Sequence, residues 1–271
     1  MSDADFVLFG AGNMGGAIAE GWLAANPGAR LTVIAPNPRG RVTNWEAAGR
    51  AVVNPQPSPA GLLMIAVKPQ VFPTTLEAIR AWIGPETVVV SVMAGLTLAA
   101  LEDALGTKRL IRVMPNTPSS IGKGVALLSP GAACTETDIT AAKALMAPLG
   151  HVEGPMSEEM LQAAMGLSGC GPAYVFLLAE VLAEAAVAQG VPNDMAKRLA
   201  VATIEGSASL LAQSDSPPEE LRRAVTSPNG VTQAALEVLM ADDAMPSLFR
   251  DALAAAVARD RELSAPPKGE T

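Results

Sequence analysis

A chain of 271 residues has room for two domains of ordinary size, and 49% hydrophobic against 17% charged residues is apolar for a solvated surface, which favours an oligomer. The formal net charge of -8 argues against nucleic-acid and anionic-membrane partners, both of which ask for a basic footprint. Two cysteines, Cys134 and Cys170, and one histidine, His151, make neither a disulfide framework nor a metal cluster.

The opening Met1-Ser2-Asp3-Ala4-Asp5 is acidic where a secretory leader needs positive charge, so a cytoplasmic protein is expected. Short β-branched runs at 6–9, 31–34, 51–53, 62–67, 88–92 and 110–113 then alternate with helical patterns, the rhythm of a parallel sheet with crossover helices. A strand-like piece at 125–128 and a helix over 138–149 complete this half. The stretch Gly150-His151-Val152-Glu153-Gly154-Pro155 reads as a linker, which places an α/β domain at 1–154 and an all-α domain at 155–271.

In the second half Ser157 caps a helix whose first turn holds Glu158 and Glu159. The apolar run at 175–187, interrupted by Glu180 and Glu184, predicts a buried helix in place of a membrane span. Asn193 and Ser216-Pro217-Pro218-Glu219 mark two more helix starts, and periodicity continues through 231–239 and 248–263. The tail 265–271 has no apolar pattern and is expected to fray.

Gly10-Ala11-Gly12-Asn13-Met14-Gly15 follows the first strand and opens a helix, the context that makes G-x-G-x-x-G a dinucleotide motif and the first domain Rossmann-type. Gly10 serves the tight turn, Gly12 the approach of backbone to pyrophosphate, and Gly15 the packing of helix on strand. After the second strand, where an NAD site carries an acid, the chain reads Ala35-Pro36-Asn37-Pro38-Arg39-Gly40-Arg41. Asn37 and Arg39 there suit a 2′-phosphate, hence NADPH with NADH as the lesser alternative; plain surface charge is the competing reading for the arginines. Val67 and Lys68 end the fourth strand, Met93, Ala94 and Gly95 the fifth, and Pro115 and Asn116 the sixth, all at the edge where such sheets bind ligands. Lys68 either lines the cofactor cleft or is a solvated lysine before a proline-started helix.

A carbonyl reductase needs a tuned proton donor, yet the only tyrosine, Tyr174, lacks a lysine four residues on, and His151 lies in the presumed linker. An imine arrives protonated and asks only for orientation and a hydroxyl. At Ser227-Pro228-Asn229-Gly230-Val231-Thr232 a loop leads into a helix, where backbone N–H groups could hold a carboxylate and Thr232 could reach a substrate nitrogen; a simple helix cap is the even alternative.

With its Gly-x-Gly-x-Met-Gly start, Val67-Lys68-Pro69, Met114-Pro115-Asn116-Thr117-Pro118, Gly169-Cys170-Gly171-Pro172-Ala173-Tyr174 and Thr226-Ser227-Pro228-Asn229-Gly230, the chain resembles the pyrroline-5-carboxylate reductases nearly end to end. That resemblance implies NADPH-dependent reduction of 1-pyrroline-5-carboxylate to L-proline. It implies that residues 227–232 hold the substrate, with Thr232 hydrogen-bonded to the imine nitrogen, in a site shared between subunits of a homodimer that can assemble into a decamer of five dimers. Asn229 replaces the family's first loop glycine, Val231 its first threonine and Cys170 a serine. These departures leave open a related cyclic imino acid as substrate, or a non-catalytic NADPH-binding protein. Hydroxyacid dehydrogenases share the glycine motif but use a helical lysine, and the all-α domain here offers only Lys197 on its helices.

Overall fold

A computed structural model describes residues 6–264; the acidic N-terminus and the tail from 265 lie outside them. In chain order the elements are β1 (Phe6–Phe9), α1 (Asn13–Ala25), β2 (Leu31–Ile34), α2 (Arg41–Ala47), β3 (Ala51–Val53), β4 (Leu62–Ile65), α3 (Phe72–Arg80), β5 (Val88–Ser91), α4 (Leu98–Leu105), β6 (Leu110–Pro115), β7 (Gly124–Pro130), α5 (Glu136–Met146) and β8 (Gly150–Glu153). Helices follow: α6 (Glu158–Ser168), α7 (Gly171–Ala188), α8 (Asn193–Gln213), α9 (Pro218–Ala224), α10 (Val231–Met240) and α11 (Ala244–Ser264).

The eight strands form one sheet in the order β3-β2-β1-β4-β5-β6-β7-β8, parallel except for the β6–β7 pair. Reversal of strand order between β1 and β4 creates the switch point at which a dinucleotide lies across a Rossmann sheet. Alternation along each strand feeds two cores. Phe6, Leu8, Leu31, Val33, Met64 and Val90 face the layer of α1, α2 and α5. Val7, Phe9, Leu63, Ile65 and Val89 face α3 and α4.

The presumed linker is the eighth strand. Val125 pairs with His151 and Leu127 with Glu153, and the exposed His151 and Glu153 flank the inward Val152, as an edge strand with one solvated face requires. His151 Nε2 lies 2.9 Å from Glu153 Oε2 on that outer face, two residues apart. The helix start expected at Ser216 lies one residue later, with Pro217 at the N-cap and Ser216 donating its N–H to Ser214. Asn193 is the first helical residue of α8 and makes no side-chain cap.

The chain divides into two compact units at Gly169, and the end of α11 from Val257 belongs with the first. A boundary at 154 was expected, but α6 stays with the sheet because its two ends are tied there. Glu158 pairs with Arg112 of β6, and the Ser168 carbonyl accepts from the Asn116 side chain.

The second unit, Cys170–Ala256, has a small core of Ala183, Ala196 and Ala200 between α7 and α8. Contrary to the expectation of a buried helix, α7 buries only Ala183, and Phe176, Leu177, Val181 and Leu182 are exposed. The span Glu158–Ala188 is apolar enough by length and composition alone to cross a membrane. Alanine on the inner face lets α7 and α8 approach closely, which leaves the larger apolar side chains pointing outward.

Candidate active site

Gly10 has φ +89, and a Cβ there would sit 2.7 Å from the Ala66 carbonyl oxygen, so only glycine permits this turn. A Cβ on Gly15 would strike the Gly10 carbonyl and lie 2.8 Å from the Ala66 Cβ, which is the close helix-to-strand packing the motif predicts. Gly12, between them, has open space on its Cβ side. It is the N-cap of α1, and no side chain caps that end, so the N–H groups of the first turn, at Asn13 and Met14, remain for an anion. Closed on the protein side and open on the solvent side, this cradle fits a pyrophosphate.

Beyond β2, Asn37 and Arg39 are exposed, and no partner of Arg39 occurs among the described residues. Arg41 is different. Its side chain lies over Gly16, where a Cβ would collide with it, and Nη1 reaches Glu20 Oε2 at 3.3 Å. Asn13, Met14, Ala17, Glu20, Arg41 and Thr117 line one pocket beside the start of α1.

The other strand exits offer less side-chain chemistry than the sequence suggested. Met93 is buried and, with Val67, packs into the second core, so each offers only main chain at the edge. Ala94 is exposed, and Gly95 turns the chain with φ +74. Lys68 is exposed after the end of β4, and its own carbonyl accepts from Val71 N–H. Asn116 is consumed inward: Nδ2 donates to the Ser168 carbonyl at 2.8 Å, and Oδ1 accepts from Val125 N–H at 2.8 Å. Both amide atoms are thus bonded within the fold, where the sequence suggested an amide facing the cofactor.

In the second unit the loop before α10 is held from within. Asn229 adopts φ +57 and donates its N–H to Gln233 Oε1 at 2.8 Å, and Gln233 Nε2 donates to Glu237 at 2.8 Å. Gly230 is the N-cap of α10 and makes no side-chain cap; a Cβ on it would collide with the Ser227 hydroxyl. The Ser227 carbonyl accepts from Gly230 N–H at 3.1 Å, closing the turn across Pro228. The first-turn N–H groups of α10 therefore have no side-chain acceptor, and Thr232 stands half-exposed one residue into the helix with no partner for its hydroxyl among the described residues.

A family described as pyrroline-5-carboxylate reductase dimerisation matches residues 158–263, and one described as NADP oxidoreductase coenzyme F420-dependent matches residues 5–95. A pea pyrroline-5-carboxylate reductase is 35% identical over 262 residues, 95% of each chain. The chain belongs to the pyrroline-5-carboxylate reductase family. The solved member from Coxiella burnetii superposes with a TM-score of 0.88 at 31% identity, over 98% of this chain and 100% of that one. The Plasmodium falciparum member, solved with NADP bound, gives 0.77 at 27% identity, over 98% and 100%.

Within the family, Asn229 keeps the loop's shape because asparagine tolerates positive φ better than other side chains. Val231 points its side chain into solvent at 90% exposure, so the missing hydroxyl takes no internal bond with it. Gln233 was not singled out from sequence; its only signal was an amide four residues after a loop residue. Asn54, which clamps the exit of β2, gave no signal beyond an asparagine before a proline.

Proposed function

We propose that this chain reduces 1-pyrroline-5-carboxylate to L-proline with NADPH, in the cytoplasm, as the last step of proline biosynthesis. The observation that carries the reading is the uncapped start of α10, with the Thr232 hydroxyl free beside unclaimed N–H groups. Those N–H groups suit the substrate carboxylate, and the helix end adds its positive dipole. The substrate nitrogen is basic enough to enter protonated, so no residue has to deliver a proton before reduction. The Thr232 hydroxyl can accept from an iminium N–H and donate to the amine nitrogen once the ring is reduced, which suits one residue to both ends of the step. Bound NADPH supplies the hydride. On the first unit, the glycine turn holds the pyrophosphate, and Arg39 with Asn37 meets the 2′-phosphate.

The exposed apolar side chains of α7 support a homodimer formed through the second unit, and we propose that five such dimers can join as a decamer. Asn229 and Val231 favour, as a second reading, a related six-membered cyclic imino acid.

The test is oxidation of NADPH, and separately NADH, by purified protein with five- and six-membered imines, for wild type, Thr232→Ala and Thr232→Ser, with proline measured directly. Proline formation that falls at least tenfold in the alanine variant and is kept by serine supports the reading. Faster turnover of the six-membered ring selects the second one, and cofactor binding without reduction of either imine overturns both.

A further inference from the structure

Arg112 sits in the middle of β6 with no exposed surface, where an apolar side chain is the default. Its Nη1 donates to Glu158 Oε1 at 2.8 Å, and that same oxygen accepts the main-chain N–H of Leu98 at 2.7 Å. Among the described residues Nε and Nη2 of Arg112 have no partner, and neither does one buried oxygen of Asp260, which lies close enough to feel both Arg112 and Glu158. Burial pushes the Asp260 carboxyl up, partly offset by the guanidinium. The hydroxyl of Ser129, directly across the strand pair from Arg112, is also buried without a partner among the described residues. A buried, half-satisfied ion pair is poor at stabilising a fold, since apolar residues of the same volume do as well or better. What it holds in place explains it better.

Leu98 is the first residue of α4, so the segment before it, residues 92–97, is the exit of β5. Arg112 lies three residues before Pro115, at the exit of β6. One carboxylate oxygen thus fastens two neighbouring strand exits. They lie in the half of the sheet from β4 to β6, the second mononucleotide half of a Rossmann fold, which takes the nicotinamide nucleotide. The exits of β1 and β2, on the adenosine half, have separate fastenings: Gly10 N–H donates to the Ile34 carbonyl, and Asn54 bonds Ala35. We propose that Glu158 is a positioning residue for the nicotinamide half of the cofactor site, setting the β5 and β6 exits at the spacing a nicotinamide riboside requires. The proposal rests on the dinucleotide reading of this sheet edge.

It is tested on the full-length protein by calorimetric titration with 2′,5′-ADP, which occupies the adenosine half alone, and with NADP+, which spans both. Glu158→Ala is expected to leave 2′,5′-ADP affinity within about twofold and to weaken NADP+ about tenfold or more, with Glu158→Gln, which keeps an acceptor, restoring most of it. Leu98→Pro serves as a second variant should Glu158→Ala fail to fold. Proline suits the first helical position and removes the N–H that Glu158 accepts; the Leu98 side chain also packs against the second core, so Leu98→Ala, which keeps the N–H, is the control, and the selective loss is expected for Leu98→Pro alone. Equal weakening of both ligands, or of neither, overturns the proposal and leaves Glu158 a general structural residue. Failure of the wild type to bind either ligand overturns the dinucleotide reading, and the proposal with it.

Discussion

Asn54 and Ala35 exchange two hydrogen bonds: Ala35 N–H donates to Asn54 Oδ1 at 2.9 Å, and Asn54 Nδ2 donates back to the Ala35 carbonyl at 2.8 Å. The pair joins the ends of β3 and β2 and fixes where the chain leaves the sheet toward Asn37 and Arg39. Asn54 itself holds φ +49. Asn54→Ala loses both bonds and adds strain, for a cost of roughly 1–3 kcal/mol. Asn54→Gly loses the bonds alone. Urea unfolding should rank wild type above both, and the KM for NADPH should rise in both while the KM for the imine holds.

Arg39 and Arg41 should contribute unequally to cofactor choice. Arg41 is already engaged by Glu20, whereas Arg39 is exposed and unpaired among the described residues. Arg39→Ala should cut the NADPH over NADH ratio of kcat/KM by about tenfold or more, the size of one charge-assisted contact. A smaller change is expected for Arg41→Ala. The reverse ranking would show that Arg41 leaves Glu20 for the phosphate.

Gln233 holds the loop through Asn229, so Gln233→Ala should raise the KM for the imine several-fold with kcat little changed, the mark of lost ground-state binding. Asn229→Gly relieves the strain of a side chain held at φ +57. Loop shape should survive, and activity with it, though the hydrogen-bonding N–H is retained in either case.

Asp138 is buried, accepts from Arg109 Nε and Nη2 at 2.9 and 2.8 Å, and closes the capping box of α5 with Thr135. The Arg109 guanidinium, aided by the Thr135 bonds against the cost of burial, holds the carboxyl below its ordinary range. A carboxyl depressed on folding stabilises the native state fully above its unfolded pKa, about 3.9, and loses that contribution as pH falls through the lower native value. Asp138→Asn should therefore cost roughly 1–3 kcal/mol at pH 7 and progressively less below about pH 4. Denaturant titrations across that window measure it, and a pH-independent gap would refute the account.

Local signals were read well and distant ones were not. The glycine turn and the β1 to β6 strands were legible because their pattern lies within a few consecutive residues. β8 was missed because Gly150-His151-Val152-Glu153 alternates around a single inward valine, too little to separate an edge strand from a linker. The internal hydrogen bonds of Asn116 were not legible, since its partners Val125 and Ser168 are 9 and 52 residues away. Glu158 was legible only as an acidic first-turn residue, because Leu98 and Arg112 lie 60 and 46 residues earlier. The exposure of α7 escaped for another reason: an apolar helix has the same sequence whether its own chain or a second copy covers it.

Because the first unit closes only with the residues from Val257 onward, the helical unit is an insertion in it. A ribosome reading this message has to deliver nearly the whole polypeptide before Asp260 can join Arg112 and Glu158. Arg112 and Glu158 are both made before that point, so the sheet waits with their pair formed but without Asp260 beside it while the apolar helices emerge, and the stretch of synthesis between Gly169 and Val257 is when an unfinished first unit and exposed apolar helices coexist, which favours aggregation.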